Sequence, residues 1–113
     1  MQLSEAEKQA MYISRQLRNY VKDKVDHFST FNMMDQPHIE FSIEFQAYDY
    51  FTVVFNYDRG RFGCAINNGS SGIALKNSQK WYDQADMTIF LKELEQQIEI
   101  RIPDKFLEFN GWK

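Results

Sequence analysis

Four sets of side chains in this sequence have the types that catalysis or metal binding needs. The first is the histidine pair, His27 and His38. An imidazole titrates near neutrality, so each can serve as a general base or a metal ligand. Neither has the spacing to Cys64 or to carboxylates that marks a metal site, and no metal is expected. The second is Cys64, the single cysteine. A nucleophilic thiol needs a neighbouring base and a lowered pKa. Cys64 falls on the apolar side of an alternating run, where a thiol packs as a small hydrophobe. The third is Gly69-Ser70-Ser71-Gly72. It lacks the lysine of a phosphate loop and the spacing of a nucleophile elbow, so it reads as turn chemistry. The fourth is the pair Glu40 and Glu44. Carboxylates four apart on a strand point the same way and can divide acid and base work. Their side of the strand is expected to face water, where nothing raises either pKa. The chain therefore reads as a non-enzyme with no catalytic residue and no cofactor.

What the glutamate pair offers instead is recognition. Between residues 33 and 60 the acids are Asp35, Glu40, Glu44, Asp49 and Asp58, against one base, Arg59. The whole chain carries a formal charge of -3, so the remainder is close to neutral. Tyr48, Tyr50 and Tyr57 are interleaved with these acids. A tyrosine ring buries area at an interface while its hydroxyl keeps a hydrogen bond. Trp81 and Tyr82, beside Asp83 and Asp86, repeat the combination. The expected partner-binding residues are Glu40, Glu44, Asp49, Tyr48 and Tyr50, followed by Trp81, Tyr82 and Asp83. A basic protein partner suits them, because opposite potentials speed encounter. Nucleic acid does not suit an acidic chain. The bases Lys8, Arg15, Arg18, Lys22 and Lys24 read as a solvated helix face.

These side chains need elements to hold them. Ser4 with Glu7 is a capping-box signature, and a helix is expected over residues 5–26. Its stripe is Ala6, Ala10, Ile13, Leu17, Tyr20 or Val21, and Val25. Residues 28–37 read as a loop, with Asn32, Asp35 and Pro37 as breakers. Apolar and polar residues then alternate over 39–45, 50–57 and 61–66, the period of strands with one buried face. Asp58-Arg59-Gly60 is a hairpin turn. After a loop over 67–72, a short strand is expected at 73–75. Residues 76–86 are polar and irregular. Asp86 caps a helix whose stripe is Met87, Phe90, Leu91, Leu94 and Ile98. Ile98, Ile100 and Ile102 also alternate like a strand, but the stripe favours helix to about residue 101. Pro103 opens a last helix that Gly111 closes, with Trp112 docked on Leu107. The fold class is α+β. A single four-stranded antiparallel meander is packed on one face by an N-terminal helix and C-terminal helices.

At 113 residues the chain is expected to be one domain, spanning residues 1–113. Met1 leads into a polar segment with no apolar signal region and no membrane-length run, and with one cysteine the expected location is cytoplasmic. The small acidic layout and the acid and aromatic strands over 39–57 resemble bacterial immunity proteins of polymorphic or contact-dependent growth inhibition toxin systems. The amphipathic ending, from Phe90-Leu91-Lys92-Glu93-Leu94 through Ile102-Pro103-Asp104-Lys105-Phe106-Leu107 to Gly111-Trp112-Lys113, adds to the resemblance. It implies a cognate toxin as partner, a basic nuclease-type domain, which the protein binds and blocks. The alternative from another class is a small-molecule-binding or regulatory domain with a pocket between sheet and helices.

Overall fold

The computed structural model describes residues 4–68, 71–74, 80–82 and 86–112. Helix α1 runs over Glu5–Val21 and starts at a reciprocal capping box. The Glu7 N–H donates to Ser4 Oγ at 3.2 Å, and the Ser4 N–H donates to Glu7 Oε1 at 3.3 Å. A third N-terminal donor, the Ala6 N–H, goes to Asp35 Oδ1 at 2.8 Å. Each bond serves a backbone group that a free helix end leaves without a partner. Ala6, Ala10, Ile13, Leu17 and Val21 are buried. The helix stops five residues short of the expected range 5–26. Lys22 takes φ 61°, and a single helical turn of 3-10 type, Lys22–Lys24, redirects the chain. Val25 keeps its buried place as the first residue of a strand.

That strand, β1 over Val25–Met34, replaces the loop expected at residues 28–37. It pairs antiparallel with β2, Glu40–Ala47. The register slips by one residue between Asp26 and Ser29 and again between Phe31 and Met34. His27 and Asn32, each at φ 56°, lie at these two bulges. A bulge inserts a residue without a cross-strand partner and reverses the alternation after it. Two bulges in ten residues erase the period that marks a strand in sequence.

The meander continues through β3, Phe51–Asp58, and β4, Arg61–Asn68. Arg59 and Gly60 both take positive φ (55° and 88°), the backbone of a tight two-residue hairpin. Strand β5, Ser71–Ala74, pairs with the end of β4, and β6, Lys80–Trp81, with its beginning. The four-stranded meander is thus β1 to β4, with two short additions. Of the loop expected at 67–72, residues 67–68 and 71–72 are strand, and residues 69–70 and Leu75 lie outside the described residues.

Phe41, Ile43, Phe45, Val53, Phe55, Phe62, Cys64 and Ile66 form the buried face of the sheet. Helix α1 and helix α2, Met87–Glu99, cover it. Asp86 caps α2 by accepting from the Thr88 and Ile89 N–H groups. Phe90 of α2 sets its ring edge on Phe55 and Phe62, with centroids 6.1 and 5.2 Å away. Residues 100–102 turn out of the helix and form no strand. Helix α3, Asp104–Phe109, ends at Gly111 with φ 77°. The Trp112 N–H reaches the Leu107 carbonyl at 2.9 Å, and the Gly111 N–H reaches that of Glu108 at 3.1 Å. This is the paired closure that only a residue at positive φ permits. The Trp112 ring goes further and meets Tyr48 edge-on at 5.3 Å. Among the described residues no helix is long and apolar enough to cross a membrane.

Candidate docking face and the polar clusters around it

The helices occupy one side of the sheet, and among the described residues no helix covers the other. Residues directly opposite in an antiparallel pair share a face. The register therefore places Met34, Glu40, Asp58, Arg61 and Trp81 in one row across the sheet. The next rows are Phe31, Ser42, Asn56 and Gly63, then Ser29, Glu44, Val54 and Ala65. The middle of this face is made of small side chains, Ser42, Gly63 and Ala65 among them. Its polar groups pair across strands, with Ser42 Oγ donating to Asn56 Oδ1 at 2.6 Å. Larger groups stand around it. Phe31 and Met34 are each 39% exposed on the β1 side, and Trp81 is 48% exposed on the far side.

Of the expected partner-binding residues, Glu40, Glu44 and Trp81 share this face. Glu44 is exposed and Glu40 half-buried. Among the described residues neither forms an ion pair with lysine or arginine; Glu40 meets only His38, at 3.1 Å. Asp49 stands at the edge of the face, where it lines a hollow of about 310 Å³ with His27, Glu44 and Gln46. Trp81 lies beside the Arg61 guanidinium, 5.5 Å from the ring centroid, a cation–π contact.

The other candidates lie elsewhere. Tyr48 is a correction: it is fully buried and cannot meet a partner. Tyr48 and Asp49 take φ 59° and 51° in the turn after β2, which rotates the Tyr48 ring to the helix side. Its hydroxyl donates to Glu99 Oε2 on α2. Tyr50 is 45% exposed, but its ring rests edge-on against Phe51 and Phe106 on the helix side. Tyr82 packs on Tyr57 and Phe62 and donates to Gln16 Oε1 at 2.6 Å. Asp83 lies outside the described residues. Phe31 and Met34 were missed because their segment read as a loop. The apolar residues of 28–34 were the available signal, hidden by the two bulges.

Charge is divided between the two sides. Lys24 was expected to be solvated, yet its Nζ lies 3.2 Å from Glu95 and 3.8 Å from Glu99. Arg18 stacks over the Phe28 ring at 4.5 Å. On the helix side Lys24 and Arg18 are thus engaged internally, whereas the sheet side leaves Glu40 and Glu44 to solvent and histidine. Asp35 is excluded from the acidic face, since it caps α1.

The candidate nucleophile Cys64 lies on the buried face of the sheet, whereas the candidate bases His38 and Glu40 meet on the opposite side. Cys64 is buried and free of disulfide, and burial pushes its thiol up, away from the reactive thiolate. His27 is exposed, and its hydrogen bond to Asp26 raises its pKa, with the Asp26 charge adding to this. Burial also raises Tyr48, helped by the Glu99 hydrogen bond, and pushes Tyr82 up to about 12. These shifts set an alkaline limit. A group whose folded pKa is raised stabilises the fold below its unfolded pKa and loses that contribution as pH rises towards the folded value. Stability should therefore fall from about pH 9, where an unfolded Cys64 ionises, and more steeply above pH 10, where unfolded Tyr48 and Tyr82 ionise. Urea midpoints measured from pH 8 upward check this. Cys64→Ala should delay the onset to the tyrosine range, and a flat alkaline limb in the parent protein would contradict the assignment.

The interior between sheet and helices is filled by aromatic and aliphatic side chains. A groove of about 300 Å³ runs along the outside of α1 against β1, lined by Ala10, Met11, Arg15, Phe28 and Met33 among others. Comparison with family models, curated proteins and solved structures gives no match.

Proposed function

We propose that this domain is a protein-binding module whose open, acidic sheet face docks a basic partner. As the sequence resemblance implied, it acts as an immunity protein that occludes a cognate bacterial toxin, and it does so in the cytoplasm without catalysis. The supporting observation is the placement of Glu40 and Glu44 on an open face, without a lysine or arginine partner among the described residues. Glu44 and Asp49 steer a basic cleft towards the sheet, since complementary potentials raise association rates. The small side chains at the centre allow close approach, and Trp81, Phe31 and Met34 supply the apolar anchors that slow release. Tyr48, Tyr50 and Tyr82 have no part in this surface.

The test is co-expression with the product of the reading frame directly upstream of the gene. Cells should survive toxin expression with the parent protein and die with the Glu40→Lys, Glu44→Lys double variant. Protection that survives the double substitution would rule out the sheet face. The small-molecule reading has one specific support, the apolar groove between α1 and β1. It calls for a bound metabolite there and for protection that is independent of the sheet face.

A further inference from the structure

The end of the open face gathers His38 and Glu40, two residues apart in sequence, with Asp58, which follows His38 by 20 residues. His38 Nε2 lies 3.1 Å from Glu40 Oε2 and 3.4 Å from Asp58 Oδ1. One donor atom from each residue lies within 4.8 Å of the other two. The placement follows from the strands. Glu40 and Asp58 are opposite partners in β2 and β3, so their carboxylates leave the sheet side by side. His38 stands two residues before Glu40, and its ring leans over both. The Arg59 N–H donates to the Ile39 carbonyl at 3.0 Å, which ties the β3 turn to the chain between the other two ligands.

The arrangement is poorly served by hydrogen bonding alone. Both carboxylate oxygens face the same ring nitrogen, and Nε2 carries at most one hydrogen. Two acids held together also repel each other. A cation between the three atoms answers both problems. A four-coordinate ion with bonds of about 2.0–2.2 Å to nitrogen and oxygen holds its ligand atoms about 3.3 Å apart. The two distances from His38 fall close to that edge length. An imidazole with two carboxylates suits a borderline divalent ion such as zinc better than calcium or magnesium, which take oxygen ligands.

We propose that His38, Glu40 and Asp58 form a binding site for a zinc-type divalent ion, with a further coordination position open towards the sheet face. The Arg59 guanidinium competes for Asp58, with Nε 3.4 Å from the same Oδ1. It is 69% exposed and free to swing into water as the ion enters. The site shares Glu40 with the docking face, but the metal titration needs no partner protein, so its failure is distinguishable from a failure of the docking reading.

The test is calorimetric titration of the tag-free protein with zinc chloride, with cobalt(II) absorption as a second probe. The expected result is one ion per chain and the visible bands of a low-symmetry cobalt site. His38→Gln and Asp58→Asn should each weaken binding by about tenfold or more, with unchanged far-UV circular dichroism. Zinc should also raise the melting temperature of the parent protein and of neither variant. Absence of saturable binding would overturn the proposal, as would equal binding by the parent protein and both variants. Should His38→Gln fail to fold, Asp58→Asn decides alone, since Asp58 is exposed.

Discussion

Replacing Tyr48 by alanine is expected to lower the unfolding free energy by about 3–5 kcal/mol, the range for deleting a buried aromatic ring. The ring has no exposed surface and holds several elements together. Its N–H meets the Lys24 carbonyl ahead of β1, its hydroxyl meets Glu99 at the end of α2, and its ring takes the edge of Trp112 from the C-terminus. Lys24 Nζ sits 5.7 Å from its centroid and bridges to Glu95 and Glu99. Removing the side chain opens a cavity and leaves Glu99 without its phenol donor. With a urea slope of about 1–3 kcal/mol/M, the midpoint should drop by roughly 1–5 M. Tyr48→Phe keeps the packing and loses the hydrogen bond, at about 1–2 kcal/mol. A Tyr48→Ala variant within 0.5 kcal/mol of the parent, the usual range of exposed sites, would mean that the residue is on the surface after all.

The second large effect concerns binding. Glu40→Lys with Glu44→Lys should weaken the complex with the toxin domain by about a hundredfold or more, which is roughly 2.7 kcal/mol. Two charges change sign where a basic cleft must approach, so attraction becomes repulsion. The fold should hold, because exposed substitutions away from special features stay within about 0.5 kcal/mol. Glu44 is exposed, and the half-buried Glu40 meets His38 and stands beside the exposed Asp58 carboxylate, which the substitution relieves of repulsion. Surface plasmon resonance in the presence of EDTA separates the charge effect from any metal at His38. The association rate should fall in the variant, and that of the parent should fall as salt rises, because steering is screened over about 10 Å at 0.1 M salt. Glu40→Gln with Glu44→Gln removes charge without reversing it and should give an intermediate rate.

Local signals carried most of the architecture. Ser4 and Glu7 announce α1 because the capping box is a chemical contact between neighbours in sequence. Asp86 announces α2, and Gly111 with Trp112 announces the closing turn, for the same reason. The alternation from Ile39 to Ile66 is legible because β2, β3 and β4 are regular and bury one face. Legibility ends where the period breaks. In β1 the bulges at His27 and Asn32 shift the register twice, so Phe28, Phe31 and Met33 do not fall on one parity. At Tyr48 the left-handed turn carries an apparently outward ring into the core. The candidate face was legible at Glu40 and Glu44, which sit in a regular strand. It was not legible at Phe31 and Met34, which share the face only through pairing with β2. The His38, Glu40 and Asp58 cluster was invisible for a similar reason, since it depends on the register of β2 against β3.

The open sheet face is tested most directly by amide and side-chain chemical-shift mapping of the isotope-labelled domain titrated with its toxin partner. The expected result is perturbation concentrated at Glu40, Ser42, Glu44, Asn56, Gly63 and Trp81, with α1 and α2 little changed. Perturbation confined to the helices or to the groove between α1 and β1, with these sheet residues unmoved, would contradict docking on the acidic face.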